Sequence, residues 1–333
     1  LKKIIDNKGT FQVLVPATWK YWVMEKDIHS FEENDSGIDS DCLQLSINPV
    51  TEFERNELAD LLGYLPHTLM GDFDCRSHND AVDDEGYVTK SWSTIYGTDH
   101  IYFTYTYSTN PEDGFREASL STKLEIVYSV IASVYLIQDT ERDKMLTSYR
   151  FEMFLQGIGA TDLLLRRAIE NKAFFEATCL FGNQIDSLLR IGIVLKKQIL
   201  NKNDIIEREW IYQGVDDKKK SEKDIYKTSL AFEIITDAVY KSLFELYEDR
   251  NRVIHRFIIS EITLAEVEQI AYQYYFLREE IKVITDDIET EQLRLNVGMT
   301  ITDKEGEGNK SSHLKDILAK IGTLSYFLAQ NKA

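Results

Sequence analysis

Apolar residues fall at every second position through Phe11, Val13 and Val15. That is the period of a strand with one buried face, and Pro16 closes it. CLQLSINPV (42–50) repeats the signal up to Asn48-Pro49. YVTKSWSTIYG and HIYFTYTYS are rich in β-branched and aromatic residues and flank Tyr96-Gly97-Thr98-Asp99, which predicts a hairpin. Along its second strand Phe103, Tyr105 and Tyr107 are assigned to the core face, and Tyr102, Thr104 and Thr106 to the other. Between these strands TEFERNELADLLGYL has a helical rhythm, with Thr51 and Glu54 spaced as a capping box. Residues 119–138 predict a helix apolar enough to lie across one face of the sheet.

The pattern changes in the second half. All four prolines (Pro16, Pro49, Pro66, Pro111) lie in the first third, and residues 112–333 hold none. Proline is costly inside helices, so the long proline-free tract predicts helices. The charged stretch 139–159, ending in Gly157 and Gly159, is the expected junction, with part of it open to a helical reading. From Ala160 a helical pattern runs to 200 and breaks at Asn201-Lys202-Asn203. DKKKSEKD is a solvated charge run, and a long helix is expected over about 222–248. Thr263 and Glu266 form a second capping box, opening a helix to about 294. A polar linker, KEGEGNKSS, precedes a last short helix near 313–329. The predicted fold class is an α+β N-terminal domain, an antiparallel sheet with packed helices, followed by an all-α bundle of four or five mostly antiparallel helices. The expected boundaries are 1–145, a junction 146–157, a bundle 158–295, and a linker with C-terminal helix 296–333.

Charge sharpens this division. Net charge is −18, from 38 Lys/Arg and 56 Asp/Glu. Residues 1–145 hold 26 acidic and 12 basic residues, or −14; the remainder hold 30 and 26, or −4. The front half therefore repels nucleic acid and anionic membranes and suits a protein partner, whereas the back half has room for a local basic patch. No run of about 18 apolar residues predicts a membrane span. Cys42, Cys75 and Cys179 are sparse and unclustered, as free thiols in a reducing compartment would be. No secretory pattern is visible, and the cytoplasm is the expected location. His29, His67, His78 and His100 lack metal spacing. The acidic stretch DFDCRSHNDAVDDE, expected as a solvated loop, lacks the order of a calcium loop. No cofactor or metal is expected.

The most specific chemical signal is RNRVIH, Arg250 to His255. A bare Arg-x4-His spacing arises by chance in roughly one such chain in three, and the Asn after the Arg cuts this to about one in a hundred. On an ideal helix Arg250 and His255 lie about 140° apart, whereas Asn251 and His255, four apart, share a face. The same residues also suit an ordinary helix: Glu248 and Arg252 as a solvated i,i+4 pair, with Val253, Ile254, Phe257 and Ile258 as the core face. Asp186, in NQIDSLLRIG, is either a polar group set against the motif or an exposed residue of an amphipathic helix, and the periodicity favours the second.

Two helices, a charged connection, a further helix and then Arg-Asn-x3-His before another helix resemble the HEPN (higher-eukaryote and prokaryote nucleotide-binding) domains over about residues 158–295. The resemblance implies a homodimer and a metal-independent endoribonuclease, in bacterial defence or stress response. His255 would move the proton as RNA's 2′-OH attacks the neighbouring phosphate, Arg250 would hold that phosphate, and Asn251 would orient the imidazole. Arg252 or Arg256 would hold a flanking phosphate. Non-catalytic members imply the alternative, a dimeric adaptor or ligand-binding protein. Phe257 stands where members controlled by nucleotidyl transfer have Tyr, so that control is not implied. In the front half, a strand entering the turn Pro16–Trp19, then hairpins and a closing helix, resembles the Mog1/PsbP-like fold. A regulatory or partner-binding role is expected for it.

Overall fold

The computed structural model describes residues 1–24, 27–32, 41–109, 117–214 and 219–300. The chain divides into two compact units, Leu1–Leu146 and Thr147–Ala333. The first is built on antiparallel sheets with helices. Strands β1 (Lys2–Ile5) and β2 (Phe11–Val15) pair with Ile4 opposite Val13. The others are β3 (Lys20–Val23), β4 (His29–Glu32), β5 (Cys42–Pro49), β6 (His67–Met70), β7 (Phe73–Ser77), β8 (Ala81–Val82), β9 (Tyr87–Tyr96), β10 (Asp99–Ser108) and β11 (Tyr135–Leu136). One sheet has the order β1-β2-β11 and the larger one β3-β4-β5-β10-β9-β7-β6, with β8 on β9. The expected hairpin is β9–β10, with Tyr96 opposite Asp99. Phe103, Tyr105 and Tyr107 are buried, as their alternation requires. Trp19 donates its N–H to Pro16 O and is buried. The acidic stretch is not a plain loop: it contributes β7 and β8, because Cys75 and Phe73 join the core.

Helix α1 (Glu52–Leu62) opens on the expected capping box of Thr51 and Glu54. Helix α2 (Glu117–Ala132) seats Val127, Val130 and Ile131 in the core of the first unit.

The expected junction is helical. Helix α3 runs unbroken over Asp139–Glu170, and Cβ atoms at Gly157 and Gly159 would meet open space, so neither glycine marks a turn. Helix α4 (Phe174–Asn201) follows a turn at Lys172, whose φ is 55°, so the helical tract expected from 160 to 200 is the end of α3 followed by α4. It ends at Lys202 in the left-handed region, at the expected Asn-Lys-Asn break. A short helix α5 (Arg208–Ile211) was not predicted. The helix expected over 222–248 also divides, into α6 (Glu222–Ala231) and α7 (Asp237–Arg256), at Glu233 with φ 55° and a new N-cap, Thr236. Helix α8 (Leu264–Leu295) starts at the expected Thr263–Glu266 capping box. The helix near 313–329 lies outside the described residues.

Helix directions follow from the side chains that meet. Glu222 faces Arg250 and Tyr226 faces Phe244, so α6 and α7 are antiparallel. Phe174 meets Tyr272, Phe181 meets Tyr275, Gln184 meets Arg278 and Gln292 meets Leu195. Helices α4 and α8 therefore run parallel, against the antiparallel expectation, because the α6–α7 hairpin intervenes and returns the chain to α4's starting end. Helix α4 is enclosed nearly all round: Ile185, Leu188, Leu189, Ile191, Ile193, Val194 and Leu195 are all buried. Each such side chain contributes about 1.5–3 kcal/mol, which makes α4 the spine of the second unit.

Candidate functional site

The RNRVIH turn closes α7, and the helix separates its two ends. Arg250 faces α4 and α6. Its Nη1 and Nη2 donate to the two carboxylate oxygens of Glu222 at 2.9 and 2.6 Å, a forked pair largely shielded from water. The guanidinium also lies 5.2 Å from the Tyr247 ring centre. Burial works against the Arg250 charge, but the bonds and charge of Glu222 outweigh it and raise its pKa further. Glu222 is the first residue of α6, whose N-terminal dipole favours a carboxylate, and it also accepts from the Tyr226 hydroxyl.

Room for Arg250 comes from a glycine. A Cβ at Gly182 would stand 2.6 Å from Arg250 Nη1. One turn along α4 sits Asp186. Its Oδ2 accepts from Arg190 Nε at 2.6 Å, and Oδ1 is buried with no hydrogen-bond partner. Burial raises the Asp186 pKa, Arg190 and Arg250 oppose this, and Glu222 adds to it. Asp186 is thus not the exposed residue that periodicity favoured; it is a polar group set close to the motif arginine. Arg190 reaches on to Trp210 O and Lys220 O. Two guanidinium groups and two carboxylates therefore balance in one cluster. The Cys179 thiol is pushed up by burial, with the Arg250 charge opposing.

The other end of the motif looks outward. His255 is exposed and has no hydrogen-bond or ion-pair partner among the described residues. Asn251, half-buried, precedes it by one turn on the same side of α7. Arg256 is exposed and unpaired among the described residues, and Arg252 donates to Asp249 at 2.9 Å. The expected Glu248–Arg252 pair does not form: Glu248 takes Lys223 from α6. Nor do all four expected core residues face inward. Val253 is buried and Phe257 packs partly on the core, but Ile254 is exposed, and Ile258 and Ile259 are 94% and 82% exposed. The 3-10 turn Phe257–Ile259 rotates the chain off the helical period and turns Ile258 and Ile259 to water.

Arg250 and Asp186 are thus brought together on the inner side of α7, while Asn251 shares the side of His255, and His255 and Arg256 face outward. Glu222, Gly182 and Tyr226 were missed by sequence reasoning. Only the Ser221–Asp224 capping box, which fixes Glu222 as a helix's first residue, was a readable signal. A second buried cluster was also missed: Arg278, fully buried, donates to Gln184 Oε1 at 2.9 Å and lies near Asp162 and Glu279. In the first unit His29 contacts Tyr21, His67 pairs with Asp74, and His78 contacts Ser93. Burial pushes the Cys75 thiol up to about 12. Among the described residues no helix is long and apolar enough to cross a membrane.

No family model matches the chain, and no curated protein matches it. Among solved structures it is similar to a protein of Bacteroides thetaiotaomicron VPI-5482 whose crystal structure was determined at 1.50 Å. Identity is 14%, coverage 54% of this chain and 68% of that one, and the TM-score 0.32. It is also similar to cyanobacterial PsbP (CyanoP) from Synechocystis sp. PCC 6803 in solution, at 15% identity, 41% and 92% coverage and a TM-score of 0.23. At such TM-scores neither carries an argument about the fold or the function of this chain.

Proposed function

We propose that the helical unit is an HEPN-like, metal-independent endoribonuclease that works as a homodimer, with His255 as its proton-transfer group. The observation that carries the reading is the setting of His255, an exposed imidazole beside Ile254, Ile258 and Ile259, all turned to water. Covering each such isoleucine is worth up to about 1.5–3 kcal/mol, and a second copy related by a two-fold axis at this turn would cover both sets. It would also bring two imidazoles and the Arg252 and Arg256 side chains to one cleft. There the 2′-oxygen of RNA bonds to phosphorus and the 5′-oxygen leaves. One imidazole takes the 2′-OH proton and the other supplies a proton to the 5′-oxygen. Arg256 and Arg252 hold the phosphate, Asn251 steadies the imidazole, and the products are a 2′,3′-cyclic phosphate and a 5′-OH. Arg250 acts as a positioning residue that fastens α7 to α4 and α6.

A second reading, a non-catalytic dimeric adaptor, is favoured by the Arg250–Glu222 pair, since the motif arginine already has its anion. Full-length chain incubated with labelled RNA in a chelator, alongside His255→Ala, separates the two. Cleavage to cyclic-phosphate ends that disappears in His255→Ala, with unchanged circular dichroism, supports the nuclease. No cleavage, or equal cleavage by both, overturns it.

A further inference from the structure

Helix α1 is unusual in how little it buries. Of its 11 residues only Leu62 is buried. Phe53, half a turn around the helix from Leu62, is 70% exposed, and Leu61 is 64% exposed. Tyr64, just past the C-cap Gly63, is 91% exposed. A helix this short is marginal in water by itself, and here one capping box and one buried leucine hold it. Its electrostatics are equally one-sided. Glu52, Glu54, Glu57 and Asp60 face solvent against a single cation, Arg55. The last turn carries no basic residue, so Asp60 stands at the negative end of the helix dipole with nothing to balance it.

We infer that this surface, from Phe53 along α1 to Tyr64, docks a protein segment carrying lysine or arginine next to large apolar side chains. The apolar part of the segment covers Phe53 and Leu61. Its cation sits at the C-terminal end of α1, where Asp60 and the dipole attract it and the face of Tyr64 offers a cation–π contact. The charge of the first half, −14 over residues 1–145 (26 acidic, 12 basic), steers such a partner in and repels anionic lipid and nucleic acid. The inference does not depend on whether the helical unit cleaves RNA.

The test uses the full chain and a labelled synthetic peptide of about 18 residues with leucine and lysine at helical spacing. A twin peptide carries glutamate for lysine. Binding is read by fluorescence anisotropy. The lysine peptide is expected to bind and the glutamate peptide not to. The variant Phe53→Ser/Leu61→Ser/Tyr64→Ser, whose altered side chains are exposed and whose circular dichroism should be unchanged, weakens binding at least about tenfold. Asp60→Lys weakens it about three- to fivefold, a difference that vanishes in ~0.5 M salt. Equal binding by the triple-serine variant would reduce the surface to a bare counter-charge and overturn the inference. Failure of the lysine peptide to bind, or tight binding of the glutamate peptide, does the same. Self-association that the triple-serine change abolishes, or binding to anionic vesicles, assigns the face to another occupant and also overturns it.

Discussion

Gly182→Ala tests whether Arg250 is seated as described. In a helix interior this substitution ordinarily stabilises by about 0.5–1 kcal/mol, because alanine loses less backbone entropy. At this position the new methyl would lie 2.6 Å from Arg250 Nη1, 3.4 Å from Cδ and 3.6 Å from Cζ. The guanidinium is the far end of a flexible side chain, but moving it means breaking the forked pair with Glu222. Charge-assisted bonds of this kind are worth about 1.5–3 kcal/mol. Subtracting the alanine gain leaves a net loss of about 1–2 kcal/mol. In an Arg250→Leu background no guanidinium is there to displace, and Gly182→Ala should stabilise by about 0.5–1 kcal/mol. The sign therefore reverses, with a coupling of about 2 kcal/mol. Urea unfolding of the four proteins, followed by far-UV circular dichroism, measures it. A Gly182→Ala protein more stable than wild type would refute the placement of Arg250 against α4.

The first unit should weaken in acid. His29, His78 and His100 all have pKa values held below the ordinary 6.5, with burial as the leading cause. The folded state prefers their neutral forms, so their stabilising share is present above about pH 6.5 and is lost as pH falls through the depressed folded values. The urea midpoint of this unit should drop between about pH 7.5 and 5.5, and His29→Gln should flatten the slope; a midpoint independent of pH contradicts this. In the second unit Gln292→Leu removes donors to Leu195 O and Gln198 Oε1 and leaves the Thr300 hydroxyl without its acceptor. It should cost about 2–4 kcal/mol in urea unfolding despite the added apolar volume, and a neutral result would show that this buried amide network holds nothing.

What was legible in the sequence was local. Alternation located β2, β5 and the β9–β10 hairpin, and both capping boxes singled out at Thr51 and Thr263 formed. Helix breaks were legible only where residue types betrayed them. Lys172 and Glu233 turn the chain in the left-handed region with no glycine, proline or asparagine at the turning position, so neither break was marked in the pattern, and α6 and α7 read as one helix. The charged, glycine-bearing stretch before 160 read as a junction helical only in part, yet its glycines face open space and α3 continues through them. Asp186 was misjudged although a signal existed. The neighbouring run Ile191-Gly192-Ile193-Val194-Leu195 is apolar on every side, which marks an enclosed helix rather than a surface one. The Glu222 partner was not legible, because the pair spans 28 residues and depends on how the α6–α7 hairpin folds back.

The five-residue step between Arg250 and His255 decides how any mutational result on this motif must be interpreted. An ideal helix sets them about 140° apart, and in this fold the arginine points into the bundle and the histidine out of it. Removing Arg250 strands the Glu222 carboxylate, which is largely shielded from water and already shares its site with Asp186. The cost of such a loss falls on the fold whatever the protein does, so an inactive Arg250→Ala protein says nothing about phosphate binding. Among the described residues His255 has no hydrogen bond or ion pair to lose. Its truncation leaves the core untouched, and a change in activity or in dimer assembly on His255→Ala is therefore attributable to the surface it occupies.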